Sequence, residues 1–219
     1  MTDRQALAGC RFAVATAAPG SAAPILALHK TGSTPEETIA LVQRIAPQRA
    51  VLAPEGDVLE GGRRRFFARH ADGSFDVADL IGRAAALVGF VEALPEEAET
   101  GPILFGISHG ANIGAAMLLS RPDLFSGALF IRLAGLPDAL PSNALGGLEM
   151  LLISGDADQT VPQADSKHAA ERMARLGARV EHRTVAAAHA VVPEDIDIAR
   201  DWIARIMGVH PGQTSHWRH

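Results

Sequence analysis

One serine lies in a sequence setting that is typical of an enzyme nucleophile. Residues 106–110, Gly-Ile-Ser-His-Gly, match the pattern G-x-S-x-G, in which the serine occupies a sharp turn between a strand and a helix. An apolar run precedes these residues and a run of small residues follows them. Such a turn lifts the hydroxyl above the sheet edge and aims the next N–H at a developing oxyanion. We therefore expect Ser108 to be the nucleophile and the His109 N–H to be one oxyanion donor.

Asp158 is the candidate for the acid that orients a catalytic base. A serine hydroxyl needs a base to accept its proton, and that base needs a third group to hold it in place. Where this turn occurs, the chain order is serine, then Asp or Glu, then His. Asp158 lies in residues 155–162, a loop that follows a predicted strand. Asp156 lies directly at the strand end, where a carboxylate is typical of a turn cap, so we expect Asp158 to be the acid.

His189 is the candidate base. It lies among small residues, 186–190, between the last predicted strand and the last predicted helix. A histidine with small neighbours contributes little to packing, which favours a chemical role. Two other histidines downstream of the serine fit less well, because His168 lies within a predicted helix and His182 in the middle of a strand.

A second oxyanion donor is expected in the loop after an early central strand. Residues 28–33, Leu-His-Lys-Thr-Gly-Ser, take that place, and the backbone N–H of Thr31 is the candidate donor. The chain contains no G-x-x-x-x-G-K-[ST] sequence, so this loop is not a P-loop.

The elements that must position these residues alternate along the chain. Apolar runs of strand length are separated by segments of helical periodicity, which predicts a mostly parallel sheet with helices on both faces. We expect one α/β domain over residues 1–208 without a separate cap domain, and a flexible tail over 209–219. Strands are predicted at 11–15, 24–29, 49–53, 102–107, 127–132, 150–154 and 179–185, and helices from about 34, at 76–98, 111–119, 163–176 and 193–207.

Composition argues against several classes of partner and compartment. The net charge of −5 argues against nucleic-acid binding, which normally needs a basic surface. Cys10 is the only cysteine, so an internal disulfide is impossible and a reducing compartment is favoured. The first five residues lack the order of a signal peptide, and we expect a cytoplasmic protein.

One segment also fits a membrane helix and needs a second interpretation. Residues 101–120 contain no Asp, Glu, Lys or Arg, and their glycines at four-residue spacing are typical of packed membrane helices. Pro102, Asn112 and a change from strand to helix period favour a buried strand followed by a buried helix. We expect no membrane partner, and a membrane-associated interaction protein is the weaker alternative.

Together, the motifs resemble the phospholipase/carboxylesterase family of α/β-hydrolases, and within it small bacterial esterases associated with hydroquinone resistance. The resemblance covers residues 24 to 207. Lys30 departs from it, since the family usually has glycine there. If that glycine has a positive φ, lysine would be strained by roughly 1–2 kcal/mol; otherwise the loop is extended in the ordinary way. The matching segments are L-H-x-x-G at 28–32, A-V-L-A-P at 50–54, V-L-E-G-G at 58–62, R-F-F at 65–67, G-x-S-x-G-A-N-I at 106–113, a strand ending in arginine at 129–132, G-x-x-D-x-x-V-P at 155–162, and His189.

The resemblance implies roles for further residues. The aspartate of the family's G-x-x-D-x-x-V-P motif is the triad acid, which corresponds to Asp158. Phe66 and Phe67 are expected to line the acyl pocket, and Arg132, at the end of a predicted strand, is expected to belong to the same pocket. Family members are often homodimers, so a homodimer is a possible partner state.

These residues predict a carboxylesterase that cleaves small or accessible carboxylic esters through an acyl-Ser108 intermediate. Such chemistry needs neither a metal nor an organic cofactor, and the partner is a small-molecule ester. A thioesterase or lysophospholipase-like deacylase is the alternative within hydrolases. A non-catalytic ligand-binding protein on the same fold is the alternative outside them, since fold alone does not determine function.

Overall fold

The described residues contain each predicted strand and helix in the predicted order, together with three further strands. The computed structural model describes residues 2–16, 23–94 and 101–207. The described residues form the strands β1 (Thr2–Leu7), β2 (Cys10–Ala15), β3 (Ile25–Leu28), β4 (Val51–Pro54), β5 (Val58–Glu60), β6 (Arg63–Arg65), β7 (Ile103–Ile107), β8 (Gly127–Ile131), β9 (Glu149–Gly155) and β10 (Arg179–Val185). The α-helices in these ranges are α1 (Pro35–Ile45), α2 (Val77–Glu92), α3 (His109–Ser120), α4 (Gln163–Arg175) and α5 (Pro193–Ile206).

The main sheet is mostly parallel, which confirms the predicted fold class. Its eight strands have the order β1-β2-β4-β3-β7-β8-β9-β10 among the described residues. Strands β3, β4 and β7 to β10 pair in parallel, whereas β1 and β2 form an antiparallel edge. From β3 the chain continues to β4, which pairs with one edge of β3. The later strand β7 pairs with the other edge of β3, so the strand order reverses at β3. Ligands of such sheets bind where the order reverses, beyond the carboxyl ends of the strands.

Helices cover both faces of the sheet, because successive buried side chains of each strand point to opposite sides. Leu26 and Leu28 of β3 belong to the hydrophobic core under α2, α3 and α4. Ile25 and Ala27 belong to the second core, which α1 and α5 cover with Ile39, Val42, Ile45, Trp202 and Ile203. The predicted first helix starts as expected, with Thr34 as N-cap and a capping box that Glu37 completes.

The charge-free segment forms a buried strand and a buried helix. Strand β7 is buried throughout, and in α3 every residue from His109 to Leu119 is buried. The absence of charge therefore reflects the protein core. No helix of the described residues is long and apolar enough to cross a membrane.

The structure differs from the predicted elements at several points. Strand β1, which pairs with β2 through a turn at Ala8 (φ 48°) and Gly9 (φ 77°), is polar, so the apolar runs do not predict it. They do not predict the small hairpin of β5 and β6 either. Helix α2 ends at Glu92, and residues 95–98 of the predicted helix lie outside the described residues. The predicted tail at 209–219 also lies outside them.

Candidate active site

Ser108 lies on a strained turn between β7 and α3. Its backbone has φ 53° and ψ −117°, a conformation that a residue with a side chain rarely adopts. The turn is held by neighbours: the Ser108 N–H donates to the carbonyl of Ile131 at 2.8 Å, and its carbonyl accepts from the Asn112 N–H at 3.0 Å. Strain of this kind, of order 1–3 kcal/mol, persists only where the surrounding structure enforces it, and it is characteristic of functional sites.

The two glycines of the pentapeptide leave no room for side chains. A Cβ at Gly106 would lie 2.6 Å from the carbonyl oxygen of Gly110. A Cβ at Gly110 would lie 2.2 Å from the carbonyl oxygen of Leu28 and 2.6 Å from that of His29. Glycine therefore allows the start of α3 to touch the end of β3, which brings the loop after β3 next to Ser108.

The structure brings Ser108, His189 and Asp158 together in one hydrogen-bonded chain. The Oγ of Ser108 lies 2.9 Å from Nε2 of His189, and Nδ1 of His189 lies 2.8 Å from Oδ2 of Asp158. The Asp158 side chain is fully buried, whereas the imidazole of His189 is 31% exposed. With the proton on Nδ1, the imidazole donates to Asp158 and leaves Nε2 free to accept the serine proton.

The environment of Asp158 keeps its carboxylate ionised. Burial by itself raises the pKa of Asp158, but hydrogen bonds from the Val161 N–H, His189 and the Thr160 N–H outweigh it, so the pKa lies below its ordinary value. The two backbone N–H groups both donate to Oδ1, at 2.9 and 2.8 Å. Oδ2 is thereby left to face His189.

Asp156 takes a different part in the site. Its exposed side chain accepts a hydrogen bond from the Ala187 N–H at 3.1 Å and does not contact His189. A Cβ at the preceding Gly155 would lie 2.2 Å from the carbonyl oxygen of Ala187, so the loop that carries the histidine packs closely on the end of β9. Asp158, not Asp156, is the carboxylate that faces the imidazole.

Arg132 does not line a pocket, and the expectation that it does is wrong. The strand ends one residue earlier, Arg132 has φ 58°, and its side chain has no exposed surface. The guanidinium instead forms a two-pronged ion pair with the buried Asp195, at 2.8 and 2.9 Å. Asp195 also accepts from the Val192 N–H at 2.8 Å, which fixes the start of α5.

The same guanidinium holds the loop around His189. Its Nε donates to the carbonyl of Ala188 at 3.1 Å and its Nη2 to that of Ala190 at 3.0 Å, one residue on either side of the imidazole. Nε also lies 3.9 Å from Oδ2 of Asp158. Arg132 therefore positions His189. The matching segment at 129–132 singles out Arg132, but no sequence signal indicates its pairing with Asp195, because 63 residues separate the partners.

Phe66 and Phe67 are also placed differently from the expectation. They are 3% and 0% exposed, so neither ring offers surface to an acyl chain. Their backbone N–H groups both donate to Nε2 of His109, at 3.0 and 3.3 Å, and the ring of Phe67 stacks on that imidazole at 4.0 Å. Burial, with repulsion from Arg69, Arg65 and His29, lowers the pKa of His109 to about 3. The imidazole is thus a neutral internal acceptor.

The loop after β3 places Lys30 and Thr31 beside α3. Apart from glycines, positive φ values in the described residues occur only at Ala8, Ser108 and Arg132, so Lys30 is not strained. Its carbonyl accepts from the Ser33 N–H at 3.1 Å and lies 2.8 Å from Nδ1 of His29. The hydrogen bonds of the described residues include none from the Thr31 N–H. The His109 N–H, in the first turn of α3, has no intrahelical acceptor.

The described part of the chain contains no candidate metal site. Three or more His, Cys, Asp or Glu side chains do not come close enough there to hold a metal ion.

Sheet topology and the turn at Ser108 together define an α/β-hydrolase. The chain is 30% identical over 190 residues to the Bacillus subtilis (strain 168) protein named "Putative hydrolase MhqD", and the matched region covers 81% of this chain and 90% of that protein. The chain belongs to the phospholipase/carboxylesterase family of α/β-hydrolases, in the small bacterial branch that its motifs resemble. No family model matches the chain.

Two solved structures of carboxylesterases are similar over almost the whole chain. The Bacillus cereus carboxylesterase superposes with a TM-score of 0.83 at 25% identity, over 90% of this chain and 94% of that one. The carboxylesterase from Mesorhizobium loti gives a TM-score of 0.83 at 25% identity, over 93% of this chain and 98% of that one. These likenesses support the hydrolase and esterase class of enzyme.

Proposed function

We propose that the protein is a serine carboxylesterase that cleaves small or accessible carboxylic esters through an acyl-Ser108 intermediate. The observation that carries this proposal is the hydrogen-bonded chain from the Ser108 hydroxyl through His189 to Asp158. A hydroxyl, an imidazole and a carboxylate in this order are the parts that nucleophilic acyl transfer needs.

In the acylation step, Oγ of Ser108 attacks the ester carbonyl carbon while Nε2 of His189 takes the hydroxyl proton. A tetrahedral oxyanion forms, and the C–O bond to the alcohol then breaks. His189 returns its proton to the departing alkoxide, which leaves as the alcohol. Asp158 stays ionised throughout and stabilises the imidazolium by the hydrogen bond to Nδ1.

Deacylation repeats the sequence with water in place of the serine. Nε2 of His189 takes a proton from a water molecule, which attacks the acyl carbon. The second tetrahedral intermediate collapses, the acid leaves, and His189 returns the proton to Oγ of Ser108. Arg132 supports both steps indirectly, because it fixes the backbone on either side of His189.

The N–H groups of His109 and Thr31 are the proposed oxyanion donors. The position of His109 in the first turn of α3 and the contact of Gly110 with the end of β3 support this assignment. Neither N–H is committed to another hydrogen bond among the described residues. Donors that are already oriented before the reaction stabilise the developing charge most effectively.

The solvent exposure of Ser108 and His189 favours small or accessible esters. Ser108 is partly exposed and the imidazole of His189 is 31% exposed, so the reacting atoms are open to solvent. The proposed single domain over residues 1–208, without a cap, would leave long acyl chains uncovered. We therefore propose a preference for short acyl groups.

Hydrolysis of 4-nitrophenyl acetate and butyrate tests the proposal. The wild-type protein should show saturable turnover, and Ser108→Ala should lower kcat by about 10⁴-fold or more. Ser154→Ala is the matched control, since the Ser154 hydroxyl also lies 3.0 Å from an imidazole, that of His182, but is 1% exposed. Equal turnover by wild type and Ser108→Ala would refute the acyl-Ser108 mechanism, and a wild-type rate no higher than the background would favour a non-catalytic binding protein.

A further inference from the structure

Two guanidinium groups near the proposed site have shielded N–H groups that lack a hydrogen-bond acceptor among the described residues. The Arg65 side chain, at the end of β6, is 11% exposed, and its Nε and Nη1 are shielded from water without a hydrogen bond. Arg69 is half-buried, and its Nε is shielded and unpaired in the same way within the described residues. Shielded donors of a charged group are unfavourable unless an acceptor completes them.

The neighbouring acid does not balance these two cations. Oε2 of Glu60 lies 2.7 Å from Nε of Arg65, but in an alignment that does not give a hydrogen bond. Arg69 instead lies over the ring of Phe75, with 5.6 Å between its guanidinium carbon and the ring centroid. Burial lowers the pKa of Arg69, repulsion from Arg65 lowers it further, and attraction to Glu60 offsets only part of this. Glu60 thus contacts Arg65 alone and attracts Arg69 only from a distance.

The segment that carries both arginines adjoins the proposed oxyanion donors. Between them, the N–H groups of Phe66 and Phe67 donate to the imidazole of His109, the residue after the nucleophile. On the other side, the Gly32 N–H donates to the carbonyl of Arg64 at 2.9 Å, which joins β6 to the loop that contains Thr31.

The face of the hairpin that carries Arg65 is the one that meets this loop. In the hairpin, Arg63 and Arg65 lie on the same face because side chains alternate along a strand. A Cβ at Gly32 would lie 3.2 Å from Cδ of Arg63, so this face contacts the loop after β3. Arg64 lies on the other face, where its Nε is 3.4 Å from the carboxylate of Glu55.

We propose that Arg65 and Arg69 form an anion-binding subsite, and that the preferred ester carries a carboxylate or a phosphate in its acyl or alcohol part. A guanidinium binds either group through paired N–H donors, and such charge-assisted hydrogen bonds are strong where water is excluded. The subsite deepens the proposed esterase function and rests on it. The anion supplies the acceptors that Arg65 and Arg69 lack.

Matched pairs of esters test the subsite and identify the anion. Methyl valerate and monomethyl glutarate differ only in a terminal methyl or carboxylate on the acyl part. Ethylene glycol monoacetate and 2-acetoxyethyl phosphate differ in a hydroxyl or phosphate on the alcohol part. Rates of acid release give kcat/KM for each ester. In at least one pair we expect the wild type to favour the anionic ester by roughly ten- to hundredfold, the discrimination of a charged hydrogen bond.

Variants assign the preference to the two arginines. Arg65→Gln and Arg69→Gln should each lower the ratio of kcat/KM values within the favoured pair by about tenfold. Arg65→Lys keeps the charge and should lower it less. Arg64→Gln is the control, because this arginine pairs with Glu55 on the opposite face, and its ratio should match the wild type.

The outcomes separate this inference from the proposed function. If the wild type hydrolyses the neutral esters with ratios near one in both pairs, the subsite is refuted and the esterase function stands. A wild-type preference that Arg65→Gln and Arg69→Gln both leave intact also refutes it. If no ester of any pair is hydrolysed, the proposed function itself fails.

Discussion

At the scale of single residues, the site depends on which carboxylate faces which imidazole nitrogen. Asp158 accepts two backbone N–H groups on one oxygen and turns the other towards Nδ1 of His189. This arrangement fixes the imidazole tautomer that leaves Nε2 ready to accept the Ser108 proton. A change in the carboxylate should therefore affect the proton transfer more than the binding of an ester.

Asp158→Asn should lower kcat by about 10⁴-fold with little change in KM, because an amide favours the wrong tautomer of His189. Asp156→Asn is the matched control, since its side chain is exposed and accepts a hydrogen bond from the Ala187 N–H rather than from His189. Steady-state kinetics with 4-nitrophenyl butyrate measures both. The assignment is reversed if the Asp156 variant loses the larger share of activity.

Lys30 should be dispensable for turnover. Its backbone has no positive φ and its side chain is exposed, so the family glycine is not needed to form this loop. Lys30→Gly should therefore change kcat on a neutral ester by less than about tenfold, whereas loss of an oxyanion donor lowers it by about 10²–10³. A loss of a hundredfold or more on 4-nitrophenyl acetate would mean that the side chain takes part in the reaction.

At the scale of elements, the approach of α3 to β3 joins the turn at Ser108 to the loop that carries the proposed oxyanion donor Thr31. The contact exists because Gly110 has no Cβ, which would lie 2.2 Å from the carbonyl oxygen of Leu28. The loops after β8, β9 and β10 then meet the turn from the other side, where Arg132 holds the backbone around His189. Small changes in these contacts should alter activity before they unfold the protein.

Gly110→Ala should lower kcat by at least about a hundredfold and the free energy of unfolding by about 1–3 kcal/mol, because the added methyl forces α3 away from β3. Gly82→Ala is the control, since a methyl group added at this exposed glycine of α2 would have no heavy atom within 4 Å. That variant should gain about 0.5–1 kcal/mol and keep its activity. Urea unfolding measures the free energy of unfolding of both variants, and ester kinetics measures their kcat. A fully active Gly110→Ala would contradict the proposed role of the contact between α3 and β3.

Sequence motifs predict the candidate catalytic residues better than they predict the residues that hold them in position. The turn at Ser108, the Asp158 loop and the position of His189 follow from local patterns and from chain order, which is why they could be recognised. The ion pair of Arg132 with Asp195 could not be recognised, since it joins residues 63 positions apart. The basic run at 63–65 has no apolar alternation, so neither the hairpin nor the burial of the phenylalanines that follow it was predictable.

At the scale of the whole molecule, buried histidines should make stability depend on pH. His109 has a pKa of about 3 in the folded protein, because burial and repulsion from Arg69 and Arg65 disfavour its cation, against an ordinary value of 6.5. Between these values the unfolded chain binds a proton that the folded protein does not. The free energy of unfolding should thus decrease as the pH falls from about 6.5 towards 3. Burial lowers the pKa of His29 as well, which adds to the same trend.

His109→Gln isolates the contribution of one imidazole, because its amide oxygen can accept the N–H groups of Phe66 and Phe67 without titrating. Unfolding by urea at about pH 7, 6 and 5 should give a slope against pH that is smaller than the wild-type slope by up to about 1.4 kcal/mol per pH unit. His168→Gln, at an exposed position, should leave the slope unchanged. Equal slopes for His109→Gln and wild type would show that this imidazole is not held neutral.

The central claim is that Ser108 is the activated nucleophile. The most direct measurement is covalent labelling with an organophosphonate, followed by peptide mass spectrometry, because only an activated serine reacts quickly with such a probe. We expect one label per chain, on the peptide that contains Ser108, and slower labelling by at least about a hundredfold in Asp158→Asn. Ser154, despite its contact with His182, should remain unmodified. A label on any other serine, or an unlabelled Ser108 in protein that hydrolyses esters, would contradict the account.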